Sequence, residues 1–290
     1  IMLRKLKRYD EALKEIDKAI SLDPDNPEYH AERGHILLRY HRDDDILMML
    51  PEGSRFKEAV NEFDIAISLN PKDPTYHFAK AEALYIHGKE KELPNEIKKA
   101  LKEIEEAIRL DPNNIEYRLE KYVILEGIMR KFEEELKEAD TVISLDPVDP
   151  STYHFKGHVL EDMGRFKEAA EAYNRAIALY LNDLNLHVDR FRVLDNAGMY
   201  EEALKEADIL VDLDPDFYHD IRAEVLEKLG RYEEAIREYD IAIKIDGLSM
   251  YRARKAMLLA KLGKCKEALK EVKDICSGYT DECKAIKKMC

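Results

Sequence analysis

Residues 7–24 read KRYDEALKEIDKAISLDP and residues 230–247 read GRYEEAIREYDIAIKIDG. In the first stretch Tyr9, Ala12, Ile16 and Ala19 follow one another by three, four and three residues; Tyr232, Ala235, Tyr239 and Ala242 repeat those steps in the second. Such steps place the side chains on one face of a helix. Alanine at two of the four positions brings that face close to a neighbouring helix. The first stretch closes with Leu22-Asp23-Pro24, whose proline cannot continue a helix, and the second with Gly247.

Working outward, the same words recur. Leu-Asp-Pro or a near relative stands at Leu22-Asp23-Pro24, Leu69-Asn70-Pro71, Leu110-Asp111-Pro112, Leu145-Asp146-Pro147 and Leu213-Asp214-Pro215. The proline steps are 47, 41, 35 and 68 residues: a period of 34 with 13, 7 and 1 extra residues, then twice 34. Leu179-Tyr180-Leu181 fills the skipped place. The small residue of the helix recurs as Ala59, Ala100, Ala169 and Ala203, and an apolar residue leads it at Phe56, Ile97, Phe132, Phe166 and Tyr200. A second helix precedes each of these. Gly34, Ala81, Gly157, Ala223 and Ala256 are each followed three residues on by leucine, and Gly88, Gly164, Gly198, Gly230 and Gly263 come at its end as residues able to turn left-handed. The unit is helix, glycine turn, helix, Asp-Pro turn.

These glycine, alanine, aromatic and proline columns at a 34-residue period resemble the tetratricopeptide repeat family. The resemblance covers essentially the whole chain: a partial repeat over 1–24, seven fuller repeats over about 27–278, and a capping helix over about 280–290. It implies an all-α fold, a right-handed superhelical solenoid of antiparallel helix pairs forming a single domain over 1–290. Aligned to later repeats, Ile1 falls midway through a first helix, so the native chain is expected to extend further N-terminally. Three departures stand out. The family's leading Trp is absent, and its column holds His30, His77, Arg118, His187, His219 and Arg252. The third full repeat replaces small columns with Tyr122, Glu135 and Val142, and the fifth carries Phe191. Altered helix crossings are expected in those two repeats.

Composition excludes several classes. Charged residues make up 37% of the 290 and apolar ones 45%, enough for a core and a solvated surface. No apolar run approaches the roughly 18 residues that a membrane span needs. Sixty-one acidic against 47 basic residues give −14, unfavourable for phosphate backbones, and no nucleic-acid partner is expected. Gln and Trp are missing and Lys and Glu abound, the composition of proteins from hot environments, and a cytoplasmic setting is expected. No phosphate loop, dinucleotide fingerprint, zincin motif or nucleophile elbow occurs, so neither enzyme nor cofactor is expected. Charge is uneven: residues 248–290 hold 11 Lys and Arg against 5 Asp and Glu, a net +6, leaving −20 for the rest.

Some residues invite specific chemistry. His154 and His158 lie four apart on one helical face, with Glu161 and Asp162 a turn further, so His154, His158 and Asp162 are a weak metal candidate; the alternative is a polar groove wall. Cys265, Cys276, Cys283 and Cys290 all fall in the last 26 residues. The seven-residue steps are too long for bridges within a helix. A bridge between the last helix and the one before it, or plain apolar packing, remain the alternatives. Inserts at about 42–54 and 89–95 break the period. Ile46–Leu50 in the first reads either as a prolonged helix or as a hydrophobic docking tag, and Asp43, Asp44 and Asp45 as a solvated triplet.

In the family, the first helix of each pair lines a concave groove that holds partner peptides. Carried over residue by residue, the groove comprises His35; Phe78, Glu82 and Tyr85; Leu119 and Val123; His154, Phe155 and His158; Arg192; and Arg254, Met257 and Lys261. The implied function is a protein-interaction scaffold taking a protein or peptide partner. An apolar-anchored ligand is expected around Phe78, Tyr85, Leu119, Val123 and Phe155, its acidic end toward Arg254 and Lys261. Family members that hold acidic C-terminal chaperone tails use Lys and Asn on successive first helices. Here those places hold Ala31 with His35, Phe78 with Glu82, Leu119 with Val123, His154 with His158, and Val188 with Arg192, so such tails are not expected to bind. The alternative is structural self-association as a homo-oligomer, through an uncovered face of Leu3, Leu6, Leu13 and Ile16 and the basic C-terminal end.

Overall fold

The computed structural model describes residues 8–43, 54–129, 131–273, 275 and 280–290. Among them are sixteen helices and no strand: α1 Tyr9–Leu22, α2 Pro27–Asp43, α3 Ser54–Leu69, α4 Pro74–Glu90, α5 Pro94–Leu110, α6 Ile115–Met129, α7 Phe132–Leu145, α8 Pro150–Asp162, α9 Phe166–Leu179, α10 Leu184–Asn196, α11 Tyr200–Leu213, α12 His219–Lys228, α13 Tyr232–Asp246, α14 Ser249–Lys261, α15 Cys265–Val272 and α16 Thr280–Met289. The chain divides into two compact units, Ile1–Pro147 with α1–α7 and Val148–Cys290 with α8–α16. Within each, helices pack chiefly on their neighbours in sequence, the arrangement of helical repeats. The segments 1–7 and 44–53, with Leu3, Leu6 and Ile46–Leu50, and Cys276 lie outside the described residues.

Local chemistry sets the helix ends. Pro74 and Pro150 open α4 and α8, each behind an aspartate whose side chain accepts the amide two residues on: Asp73 from Thr75 at 3.0 Å and Asp149 from Ser151 at 3.0 Å. Gly164, Gly198, Gly230 and Gly263 turn left-handed at φ of 71–75°, and Pro24, Pro71, Pro112, Pro147 and Pro215 each stand two residues past a second helix. Gly88 departs from this expectation. The helix runs through it to Glu90, and Glu92 takes the left-handed place at φ 53°. A Cβ on Gly88 would lie 2.7 Å from Ile97 Cγ1, so its smallness serves packing rather than turning.

The 89–95 insert is correspondingly not a loop. The helices α4 and α5 have 17 residues each, where α8 and α9 have 13 and 14. The seven extra residues become roughly one more turn on each partner, which leaves both apolar stripes in phase.

Buried side chains of the two helices in a pair are matched in size. A Cβ on Gly34 would come 2.8 Å from Phe63, and one on Gly157 2.5 Å from Tyr173. By sequence column Ala81 corresponds to Ile104, Tyr122 to Ala139, the half-buried Phe191 to Ala207 and Ala256 to Val272. Where the first helix is bulky, as at the anomalous Tyr122 and Phe191, the second offers alanine. Ala223 opposite Tyr239 is the pair that does not trade.

At the C-terminal end Cys283 and Ile286 of α16 are buried over Val272 and Ile275, whereas Met289 is 45% exposed. Cys265, opening α15, is joined to Cys290 by a disulfide; Cys283 is also disulfide-bonded, and the described residues include no free cysteine. No described helix is long and apolar enough to cross a membrane.

Candidate functional site

The histidine column that replaces the family's tryptophan is a polar joint between helices. In α2, His30 Nδ1 lies 2.7 Å from Glu62 and Nε2 2.9 Å from the Pro24 carbonyl, so the ring faces an acceptor at each nitrogen. Arg33, one turn on, donates to the same Glu62 and to Asp17 of α1, both at 2.8 Å. His77, Lys80, Glu103 and Asp64 repeat the device, as do Arg118, Lys121, Glu138 and Glu105. In the second unit His187 and Arg190 share Glu206, His219 and Arg222 share Glu238, and Arg252 and Lys255 share Glu271. Burial pushes the Glu103 carboxyl upward, but hydrogen bonds from His77 and Lys80 hold it below its ordinary range. The repeat starting at Pro150 breaks the pattern: its column holds Tyr153, and Ala172 takes the place of the glutamate.

In the first unit, the residues expected to line a groove are partly covered. His35 meets Phe63 edge-on at 5.2 Å, Phe78 lies 5.0 Å from Tyr117, and Glu82, Leu119 and Val123 are half-buried. Tyr85 is buried at 7% exposure with its ring over Gly127. Sequence reasoning missed Glu120, between Leu119 and Val123. Burial, then the charges of Glu82 and Glu116, push its carboxyl up to about 7. Glu120 makes no ion pair among the described residues.

In the second unit, Phe155 and Met257 are half-buried. The cations expected to receive an acidic ligand end are already engaged: Arg254 lies 3.3 Å from Glu224 and 3.7 Å from Glu227, and Lys261 3.3 Å from Glu227 and over the Tyr232 ring. Arg192 holds Glu161 through two hydrogen bonds, at 2.7 and 2.8 Å. His154 and His158 do converge, but the carboxylate beside them is Asp189 of α10; Asp162 is exposed and not part of the cluster. His154 Nε2 lies 2.8 Å from Asp189 Oδ2 and 3.0 Å from His158 Nε2. Burial, then the neighbouring His154, hold the His158 imidazole below its ordinary range. Leu13 and Ile16, expected on an uncovered face, are partly buried against Tyr9, Ala12 and Ile36.

A cavity of about 500 Å³ opens instead among α3, α4 and α5, lined by Phe56, Val60, Leu84, His87, Lys80 and Glu103 among others. Phe56 and His87 stack in it at 3.8 Å. None of the expected groove residues lines it.

Helix pairs of constant register packed on their sequence neighbours define a helical-repeat protein. Family models described as TPR repeat and tetratricopeptide repeat match residues 2–39, 52–115, 150–183 and 188–249, and the chain belongs to the tetratricopeptide repeat family. The unmatched stretch 116–149 contains the atypical Tyr122, Glu135 and Val142. No curated protein matches the sequence. Among solved structures it is similar to YrrB, described as a TPR protein with an unusual peptide-binding site, at TM-score 0.53 and 21% identity over 65% of this chain and 94% of that one. It is also similar to a chain of Naa15/Naa10 bound to HypK-THB, at TM-score 0.63 and 14% identity over 97% of this chain and 41% of that one. MamA follows at TM-score 0.49 and 19% identity over 58% of this chain and 92% of that one.

Proposed function

We propose that this chain is a non-catalytic protein-interaction scaffold, holding a partner peptide or helix on the first-helix faces of α4 and α6. Membership of the tetratricopeptide family supports a scaffold, and the peptide-binding site described for YrrB belongs to a protein of the same fold. The observation that carries the choice of face is the half-buried apolar set Phe78, Leu119 and Val123 around Glu120, a carboxylate without an ion-pair partner among the described residues. Burying a partner's apolar side chains there removes more surface from water. A lysine or arginine of the partner beside Glu82 and Glu120 supplies the missing charge. The ligand is therefore apolar-anchored with a basic residue, and nucleic acid and acidic chaperone tails are disfavoured. The reading places the chain in the cytoplasm of a thermophile, where an intracellular disulfide such as Cys265–Cys290 persists. Self-association has no comparable support, since the described part of its proposed face is already partly covered.

The test is selection of a displayed random-peptide library on the full chain, then fluorescence polarisation with the best peptide. We expect apolar-basic sequences and at least about tenfold weaker binding to Phe78→Ala, since truncating an aromatic anchor costs about 2 kcal/mol. Equal binding to Phe78→Ala, or micromolar binding of an acidic chaperone-tail peptide, refutes the reading.

A further inference from the structure

His154 and His158 sit in the repeat where Tyr153 and Ala172 replace the polar joint, and Asp189 faces them from the next repeat. His154 and His158 project from the same face of α8, four residues apart, and Asp189 reaches them from α10, the first helix of the next pair. The three facing atoms are 2.8 Å (His154 Nε2 to Asp189 Oδ2), 3.0 Å (His154 Nε2 to His158 Nε2) and 3.7 Å (His158 Nε2 to Asp189 Oδ2) apart. One proton cannot serve this triangle well. If His154 donates to Asp189, its hydrogen must also satisfy His158; if His158 donates to His154, the lone pairs of His154 and Asp189 oppose each other at 2.8 Å. A cation accepts all three lone pairs at once. In the plane of the triangle the point equidistant from its corners is about 1.9 Å from each, and slightly above the plane that distance becomes the roughly 2.0–2.1 Å of zinc–imidazole and zinc–carboxylate bonds.

The surroundings suit such a ligand set. Asp189 Oδ1 accepts from Arg192 at 2.8 Å, which leaves Oδ2 as the single donor to the centre. Arg192 is in turn pinned by Glu161, which also accepts from the buried Tyr173 hydroxyl at 3.1 Å. Tyr173 stands edge-on to His158, their ring centres 5.7 Å apart, and fixes the plane of that ring. With Arg192 set against Glu161, the carboxylate of Asp189 is the net charge of the cluster. The side chain of His158 is 43% exposed, so an ion has a way in and room for a water as fourth ligand.

We propose that His154, His158 and Asp189 bind one divalent transition-metal ion of the zinc class, tying the first helices of two successive repeats together. Two imidazoles and one carboxylate favour such an ion over calcium or magnesium, which take oxygen ligands. This proposal does not depend on the peptide-binding reading.

The experiment titrates the metal-free, oxidised full chain with ZnCl2 against a chromogenic chelator, cysteines remaining in their disulfides. We expect one Zn2+ per chain and a rise in melting temperature on binding. His158→Ala and Asp189→Asn should each weaken binding at least about 100-fold, the upper end of what even outer-shell changes cost, and Arg192→Met about tenfold. His87→Ala, in the other unit, should bind as wild type does. Co2+ in place of Zn2+ should give the intense visible absorption of a low-coordinate site, lost in His158→Ala. If Asp189→Asn fails to fold by circular dichroism, His158→Ala at its half-exposed position decides alone. Zn2+ held no better than by His158→Ala, or no Zn2+ retained against the chelator, overturns the proposal.

Discussion

Replacing Gly157 by alanine tests the size matching between paired helices. On this backbone the new Cβ would lie 2.5 Å from Tyr173 Cε1 and 2.7 Å from Cδ1, more than an ångström inside ordinary contact. The tyrosine cannot swing aside. It is fully buried, its hydroxyl donates to Glu161, and His154 and His158 pack against its ring. Two terms compete. Alanine is the better helix former by about 1 kcal/mol, whereas overpacking costs about 1–3 kcal/mol. A rigid aromatic so close puts the steric term at its upper end, and we expect a net loss of about 2 kcal/mol, or a fall of about 3 °C in melting temperature for a chain of 290 residues. Thermal unfolding by circular dichroism measures it, with Tyr173→Leu and the double variant completing a cycle. The double variant should be more stable than the two single losses add up to. Ala223 opposite Tyr239 shows that alanine is not barred from the column in principle; the penalty belongs to the helix separation at Gly157. A Gly157→Ala chain at least as stable as wild type, or strictly additive losses, refutes the reasoning.

Two further outcomes follow from the polar joints and the acidic face. Glu206 is fully buried between His187 and Arg190, so Glu206→Gln keeps its shape but strips the counter-charge from both; urea unfolding should show a loss of about 3 kcal/mol, whereas Glu11→Gln in the exposed Arg8–Glu11 pair should leave the unfolding midpoint unchanged. Glu120 holds its proton up to about pH 7 when folded but only to about its ordinary 4.5 when unfolded, so its contribution is fully present below that ordinary value and is lost as pH rises through 7. Wild-type melting temperature should therefore fall more steeply between about pH 5 and 8 than that of Glu120→Gln, and parallel curves would show that the carboxylate is not held in its protonated form.

Local rules carried far in this chain. Proline, glycine and the three-and-four spacing of alanine act within a few residues, so helix ends and apolar faces could be read directly. What escaped were the charged partners supplied by other helices. The histidine and arginine column was visible, but its glutamates lie 32, 26, 20, 19 and 19 residues on at Glu62, Glu103, Glu138, Glu206 and Glu238, because inserts stretch the first pairs. A fixed offset appears only once the inserts are removed. Spacing along one helix reveals only neighbours on that helix, and so points to Asp162 beside His158; Asp189, 35 residues from His154, arrives from the next repeat. Gly88 looked like a turn residue because glycine serves both turning and close packing, and only the extended helices tell the two apart. The engagement of Arg254 and Lys261 was likewise hidden, since Glu224 and Glu227 reach them from α12.

The trading of bulk between paired helices gives each pair an address. A chain built from near-copies risks docking a helix onto the wrong copy during folding, where backbone and apolar stripe would fit almost equally well. In the first unit, setting α6 with Tyr122 against α3 would drive that ring into Phe63, and setting α2 with Gly34 against α7 would leave a hollow over Ala139. These two mispairings are respectively jammed and void, and both are costly. Repeats of this chain are consequently poor interchangeable parts: a graft that moves one helix without its partner should misfold, while one that moves the pair together carries its own key.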